Sequence, residues 1–213
     1  MTDVGDPGRV YGGRSMADRR ADRRAKFLQA AIEVLGTKGY SATSVADVCA
    51  AAGLARSQFY GEFANREKLL TDVYDLIQQD AETAVVTALS GSTDRDHRKL
   101  VAAAMGALID SLGSDPRRAR ICYIEMLGVS DTVEQHRARR RAVWVGFFEA
   151  TLRGEVGAEF DPPGGYRLAA TAFLGAFTEV VSDWSRTPSP RPPVGALVDT
   201  MIAVLAAFVP DLD

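Results

Sequence analysis

The sequence predicts an all-helical protein in which a small N-terminal helix-turn-helix unit precedes a larger helical domain. Three observations support this fold class. Apolar residues recur at helical spacing, short runs rich in glycine or proline separate these stretches, and no alternating strand pattern of useful length is present. With 213 residues, 46% of them apolar, the chain can bury a core as one large domain or two small ones.

Three short helices are predicted between Lys26 and Gly61. The first presents an apolar face and stops at a glycine-flanked break. The second opens at Thr43, whose hydroxyl is expected to cap the free amides, and Asp47 lies where the helix dipole favours an anion. The third, 55–61, has Phe59 inside and polar residues outside. This order of elements is that of a helix-turn-helix.

The next run carries a recognisable motif. From position 43 the chain contains Thr-Ser-Val-x-Asp-Val, followed by Ala-Gly-Leu, Phe-Tyr-x-x-Phe and Arg-Glu-x-Leu. The pattern resembles the signature of the TetR family of bacterial transcriptional regulators. The resemblance implies a third helix that enters the major groove of double-stranded operator DNA. The residues expected to contact that DNA are Thr43, Ser44, Ala55, Arg56, Ser57, Gln58, Tyr60 and Arg66.

The charge distribution agrees with a DNA-binding N-terminus. Residues 1–70 carry 11 Lys and Arg against 8 Asp and Glu, whereas the remainder carries 14 against 20. Six basic residues before and within the first helix are expected to follow the phosphate backbone or to remain a solvated face: Arg14, Arg19, Arg20, Arg23, Arg24 and Lys26. Glu62 stands where the family often has an aromatic or basic residue, so it is expected to face phosphate.

Periodicity divides the rest of the chain into six further helices. They are predicted at 66–89, 94–112, 116–128, 132–154, 165–185 and 194–209, with a proline-rich loop before the last. The first of the six continues out of the DNA-binding unit. The predicted domains are a disordered arm at 1–17, the helix-turn-helix domain at 18–65, and a helical ligand-binding and dimerisation domain at 66–213.

The last two helices are apolar on more than one face. A helix of this kind must be covered on more than one face, either within its own core or by a partner. The family resemblance implies that the two helices pair with their two-fold mates in a four-helix bundle, which makes the protein a homodimer. The predicted interface residues are Phe173, Phe177, Val180, Trp184, Met201 and Leu205.

The middle helices are the candidate effector-binding region. Their long, flexible and aromatic side chains suit an apolar cavity, although for each of them alone an ordinary core position is the better interpretation. The candidates are Met105, Ile109, Cys122, Glu125, Met126, Trp144, Phe147 and Phe148. Glu125 falls within an apolar run and needs a partner, which is either a cationic ligand or an arginine of the basic run 136–141.

Several function classes lack support in the sequence. No catalytic constellation, paired metal ligands or phosphate loop is found, so no enzyme, metal or cofactor is expected. No apolar run is long enough to span a bilayer, and a cytoplasmic location is expected. The sequence therefore predicts a repressor that a small apolar or amphipathic effector releases from its operator. The alternative is a dimeric small-molecule-binding protein with decayed DNA contacts, which Glu62 would support.

Overall fold

The computed structural model describes residues 15–91, 97–156, 162–188 and 190–207. Every regular element in these ranges is a helix. The first three helices are α1 (Met16–Lys38), α2 (Val45–Ala52) and α3 (Arg56–Glu62). Helix α1 begins two residues before the predicted domain boundary at 18, where Ser15 caps it together with Asp18. Residues 1–14, most of the predicted arm, lie outside the described ranges.

The start of α2 corrects one prediction. The N-cap is Ser44 rather than Thr43: the Ser44 hydroxyl accepts from the Asp47 N–H, and the Asp47 carboxylate accepts from the Ser44 N–H. This reciprocal pair satisfies two amides that the helix itself leaves free. Thr43 is buried, and its hydroxyl donates to the carbonyl of Gly39 at 2.7 Å.

An aromatic cluster packs α3 against α1. The rings of Phe27, Phe59 and Phe63 lie with centroids 5.4–5.9 Å apart, and all three side chains are buried. Edge-to-face pairs of this kind contribute about 0.5–1.5 kcal/mol each beyond the area that they bury. The cluster fixes α3 with Phe59 inward, as predicted.

Six further helices follow. They are α4 (Arg66–Ser90), α5 (His97–Gly113), α6 (Pro116–Arg120), α7 (Asp131–Val156), α8 (Tyr166–Arg186) and α9 (Val194–Ala206). Their positions agree with the six predicted segments to within a few residues, except at the end of α6. The predicted helix ends at 94–96 and 208–209 lie outside the described ranges. Helix α6 does not continue to 128 as an α-helix. It passes into a single π-helical turn, Ile121–Glu125, which ends the segment.

Helices α8 and α9 are more deeply buried in the single chain than the sequence indicated. Five of the six predicted interface residues are at most 7% exposed, and only Val180 is partly exposed. Side chains that the same chain already covers cannot form a contact surface, which corrects the prediction for Phe173, Phe177, Trp184, Met201 and Leu205. The exposed side of α8 carries mostly charged residues and Leu168, with Ala172 between them, whereas α9 exposes small residues that include Ala196 and Ala203.

Candidate DNA-binding surface and effector cavities

Helix α3 presents a polar face to solvent. Arg56, Ser57, Gln58 and Tyr60 are exposed, while the opposite face is anchored by Phe59. Ser44 and Ala55, at the starts of α2 and α3, are also exposed. The structure therefore brings six of the eight predicted DNA-contact residues to the surface, on the two helices of the helix-turn-helix.

Two of the exposed side chains are partly ordered by their neighbours. The Gln58 side-chain oxygen accepts from the Ala55 N–H at 2.9 Å and caps α3. The Arg56 guanidinium lies 5.8 Å from the centre of the Tyr60 ring and donates to the Tyr60 hydroxyl at 3.4 Å. Arg56 is thus held at the surface of α3 by a weak contact, which leaves its guanidinium donors available to a base edge.

The other two predicted DNA contacts have internal roles. Thr43 is 1% exposed, so its side chain cannot reach DNA, and this prediction is corrected. The Arg66 guanidinium stacks on the Tyr40 ring at 4.3 Å and donates to the Thr43 carbonyl oxygen. Arg66 therefore ties the start of α4 to the turn before α2.

Glu62 does not face phosphate as expected. Its side chain is 1% exposed and accepts from Arg20 at 3.1 Å and from Arg23 at 2.7 Å. Burial raises the pKa of Glu62, but the hydrogen bonds from Arg23 and Arg20 outweigh it, so the pKa lies below its usual value. Arg24 likewise bonds to Asp72 at 2.8 Å. Three of the basic residues expected to follow the backbone thus join α1 to α3 and α4.

A polar contact joins the π-helical turn to the helix-turn-helix. The Glu125 carboxylate accepts from the backbone N–H of Tyr40 at 2.5 Å and from Nε of Arg120 at 2.7 Å. Arg120 also donates to the carbonyl of Thr37 at 2.8 Å. The sequence left two partners open for Glu125, a cationic ligand or an arginine of 136–141. The structure shows an arginine, but it is Arg120.

Glycines allow α1 to approach α6 closely at the same interface. A Cβ at Gly36 would lie 2.4 Å from Cβ and 2.8 Å from Cα of Arg117. Gly39, with φ of +86°, lies beneath Arg120 and Glu125, and a Cβ there would be 3.1 Å from the carboxylate oxygens. These contacts, together with Glu125 and Arg120, are called the interdomain contact below.

The first of two neighbouring cavities is partly polar and measures about 210 Å³. It lies between α4, α5, α7, α8 and the π-helical turn, and is called the polar cavity. Gln78 lies in its wall and links two other lining residues: its side chain accepts a hydrogen bond from Trp144 Nε1 at 2.7 Å and donates one to the sulfur of Cys122 at 3.6 Å. Its other lining residues are Tyr74, Leu108, Leu112, Tyr123, Arg137, Arg141, Leu174, Gly175, Phe177 and Thr178.

The titratable groups in this wall, other than the two arginines, are uncharged near pH 7. Burial raises the pKa of the Cys122 thiol to about 12 and raises the pKa values of Tyr74 and Tyr123 above their usual range. Cys122 is therefore a neutral thiol in this environment, and it lacks the thiolate character that reactive cysteines need.

The second cavity is larger and almost entirely apolar. It measures about 360 Å³, within the range of about 300–1,000 Å³ that is typical of ligand sites, and is called the apolar cavity. Leu108 belongs to the lining of both cavities. The remaining lining residues are Val85, Leu89, Leu100, Val101, Ala104, Met105, Phe147, Phe148, Ala150, Thr151, Leu152, Gly154, Phe173 and Leu205.

The predicted effector residues divide between cavity walls and core. Cys122 and Trp144 line the polar cavity, and Met105, Phe147 and Phe148 line the apolar cavity. The other three lie outside the lining sets of both cavities: Ile109 and Met126 are fully buried, and Glu125 lies at the interdomain contact. Sequence reasoning missed Gln78, Arg137 and Arg141. The available signal for Gln78 was a polar residue on the apolar face of α4.

The helix-turn-helix segment and the sequence around it are similar to known proteins. Residues 27–73, which contain the end of α1, both short helices and the start of α4, match the family model described as bacterial regulatory proteins, tetR family. This match identifies the helix-turn-helix unit as a TetR-type DNA-binding domain. The chain is 29% identical over 120 residues to the HTH-type transcriptional regulator EthR of Mycolicibacterium smegmatis, covering 56% of this chain and 55% of EthR. It is 30% identical over 113 residues to the uncharacterized HTH-type regulator YezE of Bacillus subtilis, covering 52% and 54%.

Solved structures extend the likeness in fold to most of the chain. FadR, the fatty acid degradation regulator of Bacillus halodurans, aligns with a TM-score of 0.73 and 20% identity, over 86% of this chain and 94% of FadR. FadR of Bacillus subtilis, solved in complex with stearoyl-CoA, aligns with a TM-score of 0.73 and 19% identity, over 87% and 98%. The curated relatives, in contrast, are matched over about half of their length.

Two further findings concern metal sites and membrane spans. Within 15–91, 97–156, 162–188 and 190–207, no group of three or more His, Cys, Asp or Glu is arranged to hold a metal ion. No helix in the described part of the chain has the length and hydropathy to cross a bilayer.

Proposed function

We propose that this chain is a cytoplasmic, homodimeric repressor of the TetR family that a small apolar or amphipathic effector releases from its operator. The observation that carries the proposal is the position of one π-helical turn. Cys122 and Tyr123 of this turn line the polar cavity, and Glu125 of the same turn binds the Tyr40 N–H in the helix-turn-helix. A displacement at the cavity wall therefore acts directly on the DNA-binding unit.

The proposed mechanism is a change in the distance between two recognition helices. Two copies of α3 must enter successive major grooves about 34–36 Å apart. An effector that binds more tightly to a conformation in which the π-helical turn is displaced moves α1 and the helices packed on it away from that spacing. By linkage, the operator then weakens effector binding by the same factor.

Dimerisation is assigned to the exposed side of α8 and α9. The small residues there, including Ala172, Ala196 and Ala203, permit close approach of a two-fold mate, and a C2 interface uses the same surface on both copies. The alternative function, a ligand-binding protein with decayed DNA contacts, loses its supporting feature because Glu62 is bound to Arg20 and Arg23 instead of facing DNA.

A gel-shift assay tests this function. DNA from beside the protein's own gene is titrated with the parent and with Arg56→Ala, and a matched Arg139→Ala variant controls for the loss of one positive charge at an exposed site. The parent and the control should bind one fragment in preference to competitor DNA, and Arg56→Ala should lose that preference. Fatty acyl compounds are the first effectors to test, since FadR of B. subtilis was solved with stearoyl-CoA. Equal binding to all fragments by the parent would contradict the proposal.

A further inference from the structure

The polar cavity carries a charge that the apolar cavity lacks. Arg137 and Arg141 belong to its lining, and none of its lining residues is an Asp or Glu. Guanidinium groups remain protonated throughout the accessible pH range. The tyrosines and the cysteine of the lining are neutral near pH 7, as described above. Arg137 is half-buried and Arg141 is exposed, so the two positive charges lie at the solvent-facing edge of the cavity, and no acidic lining residue balances them.

The two arginines are four residues apart on one face of α7, where like charges repel each other. Arg137 is partly compensated by an ion pair with Glu134 on the outer surface of the helix. Arg141 has no carboxylate at ion-pair distance among the described residues. An anion bound between the two guanidinium groups would relieve the repulsion and supply acceptors for several unused donors.

The apolar cavity continues from the polar cavity along the same helices. Both are lined by residues of α4, α5, α7 and α8, and Leu108 belongs to both linings. A ligand that has its charged end at Arg137 and Arg141 would extend its apolar chain past Leu108 into the apolar cavity. The linings are thus complementary to the two ends of one amphipathic molecule.

We infer that the effector is an apolar chain with a terminal anionic group, whose anion binds Arg137 and Arg141 in the polar cavity and whose chain fills the apolar cavity. This inference rests on the proposed function and names the chemical class of its effector. The anion is either the carboxylate of a free acid or the phosphates of an acyl thioester, and the experiment separates the two.

Isothermal titration of the full chain, without DNA, compares three ligands of equal chain length: decanoate, decanoyl-CoA and decan-1-ol. At least one of the two anionic ligands should bind about tenfold or more tightly than the alcohol, because hydrogen bonds to charged groups are the stronger ones. Preference for decanoate identifies a free acid, and preference for decanoyl-CoA identifies a thioester. Equal or tighter binding of decan-1-ol, or no binding of any of the three, overturns the inference.

Variants of α7 locate the anion. Arg141→Gln and Arg137→Gln should each weaken the preferred anionic ligand by about 10- to 100-fold and leave decan-1-ol unchanged. Arg139→Gln is the matched control, because this substitution removes the same charge from the same helix. Arg139 is exposed and lines neither cavity. Equal losses in all three variants, or no loss in Arg141→Gln and Arg137→Gln, overturn the inference. Thermal unfolding of each variant separates a binding defect from a folding defect.

Failure of this inference is distinguishable from failure of the proposed function. If decan-1-ol binds as tightly as decanoate and releases the protein from its operator, the regulator is retained and the anionic effector is rejected. If decanoate binds through Arg141 but changes DNA affinity by less than twofold, the effector class is retained and the repressor mechanism is rejected.

Discussion

Gly36→Ala is the substitution that most directly perturbs the interdomain contact. Its new methyl group would lie 2.4 Å from Cβ and 2.8 Å from Cα of Arg117, whereas ordinary contacts begin at 3.4 Å. Rotation of a side chain cannot relieve the overlap with Cα, because that atom belongs to the backbone of α6. Helix α6 must therefore move away from α1.

The loss of stability expected for Gly36→Ala is estimated by comparison with a second glycine in a helix. Overpacking that forces a backbone shift costs about 1–3 kcal/mol, while replacing a helical Gly with Ala gains about 1 kcal/mol in propensity. Gly146 of α7 is exposed and has open space around its Cβ position, so Gly146→Ala should show the gain alone. Both variants share the propensity term, and the difference of about 1–3 kcal/mol between them measures the overlap.

Thermal unfolding and operator titration provide the assay. A difference of 1 kcal/mol shifts the midpoint of a chain of this size by about 2–4 °C, so Gly146→Ala should melt above the parent and Gly36→Ala below Gly146→Ala. Operator affinity measured by fluorescence anisotropy should change in Gly36→Ala and not in Gly146→Ala. Equal melting temperatures for the two variants would refute the tight approach of α1 and α6. A destabilised Gly36→Ala protein with parental operator affinity would refute the role of this contact in coupling.

Three other outcomes are expected. Arg56→Ala should cost about 1–3 kcal/mol of operator binding and relax preference at one position of each half-site; unchanged selectivity across half-site variants would contradict base contact by Arg56. Phe177→Glu should unfold the single chain because Phe177 is 2% exposed, whereas Ala203→Glu should give folded monomers in sedimentation, and an intact Ala203→Glu dimer would place the interface elsewhere. The pKa of Glu62 is lowered, so its stabilising contribution is present above its usual value of 4.5 and is lost as pH falls further; Glu62→Gln should flatten the loss of stability as the pH falls below that usual value, and parallel curves would contradict this.

Features that depend on local periodicity could be predicted from the sequence. The inward face of α3, the long α4 and the approximate positions of the later helices follow from apolar spacing and from breaks at glycine and proline. The N-cap of α2 was also within reach. Ser44 has Asp47 three residues later, which completes a reciprocal pair, whereas the residue three after Thr43 is Ala46.

Features that depend on contacts between distant segments could not be predicted. Apolar periodicity shows that Phe177 and Met201 face away from water, but it does not distinguish a cover from the same chain from a cover by a partner. The polar cavity combines residues of four helices and the π-helical turn, so Arg137 looked like part of a solvated face. Glu62 was interpreted as a surface residue because its partners Arg20 and Arg23 lie about forty positions earlier.

The partner of Glu125 was missed because of the π-helical turn itself. Residues five apart lie about 140° apart around an ordinary α-helix, so Arg120 and Glu125 would not face each other. A π turn forms i to i+5 hydrogen bonds and brings such residues together, as the 2.7 Å ion pair shows. The sequence pattern did not indicate this departure from α-helical geometry.

The energy of the interdomain contact has a consequence for regulation. A hydrogen bond to a charged group contributes about 1.5–3 kcal/mol, and the bond from the Tyr40 N–H to Glu125 is of this kind. Couplings between an effector site and a second site amount to about 1–3 kcal/mol. The two quantities are of the same size, so the coupling expected of the proposed effector matches the Tyr40–Glu125 bond. The Arg120–Thr37 bond and the packing of Gly36 on Arg117 add to the free energy that a complete separation of α1 from α6 would require.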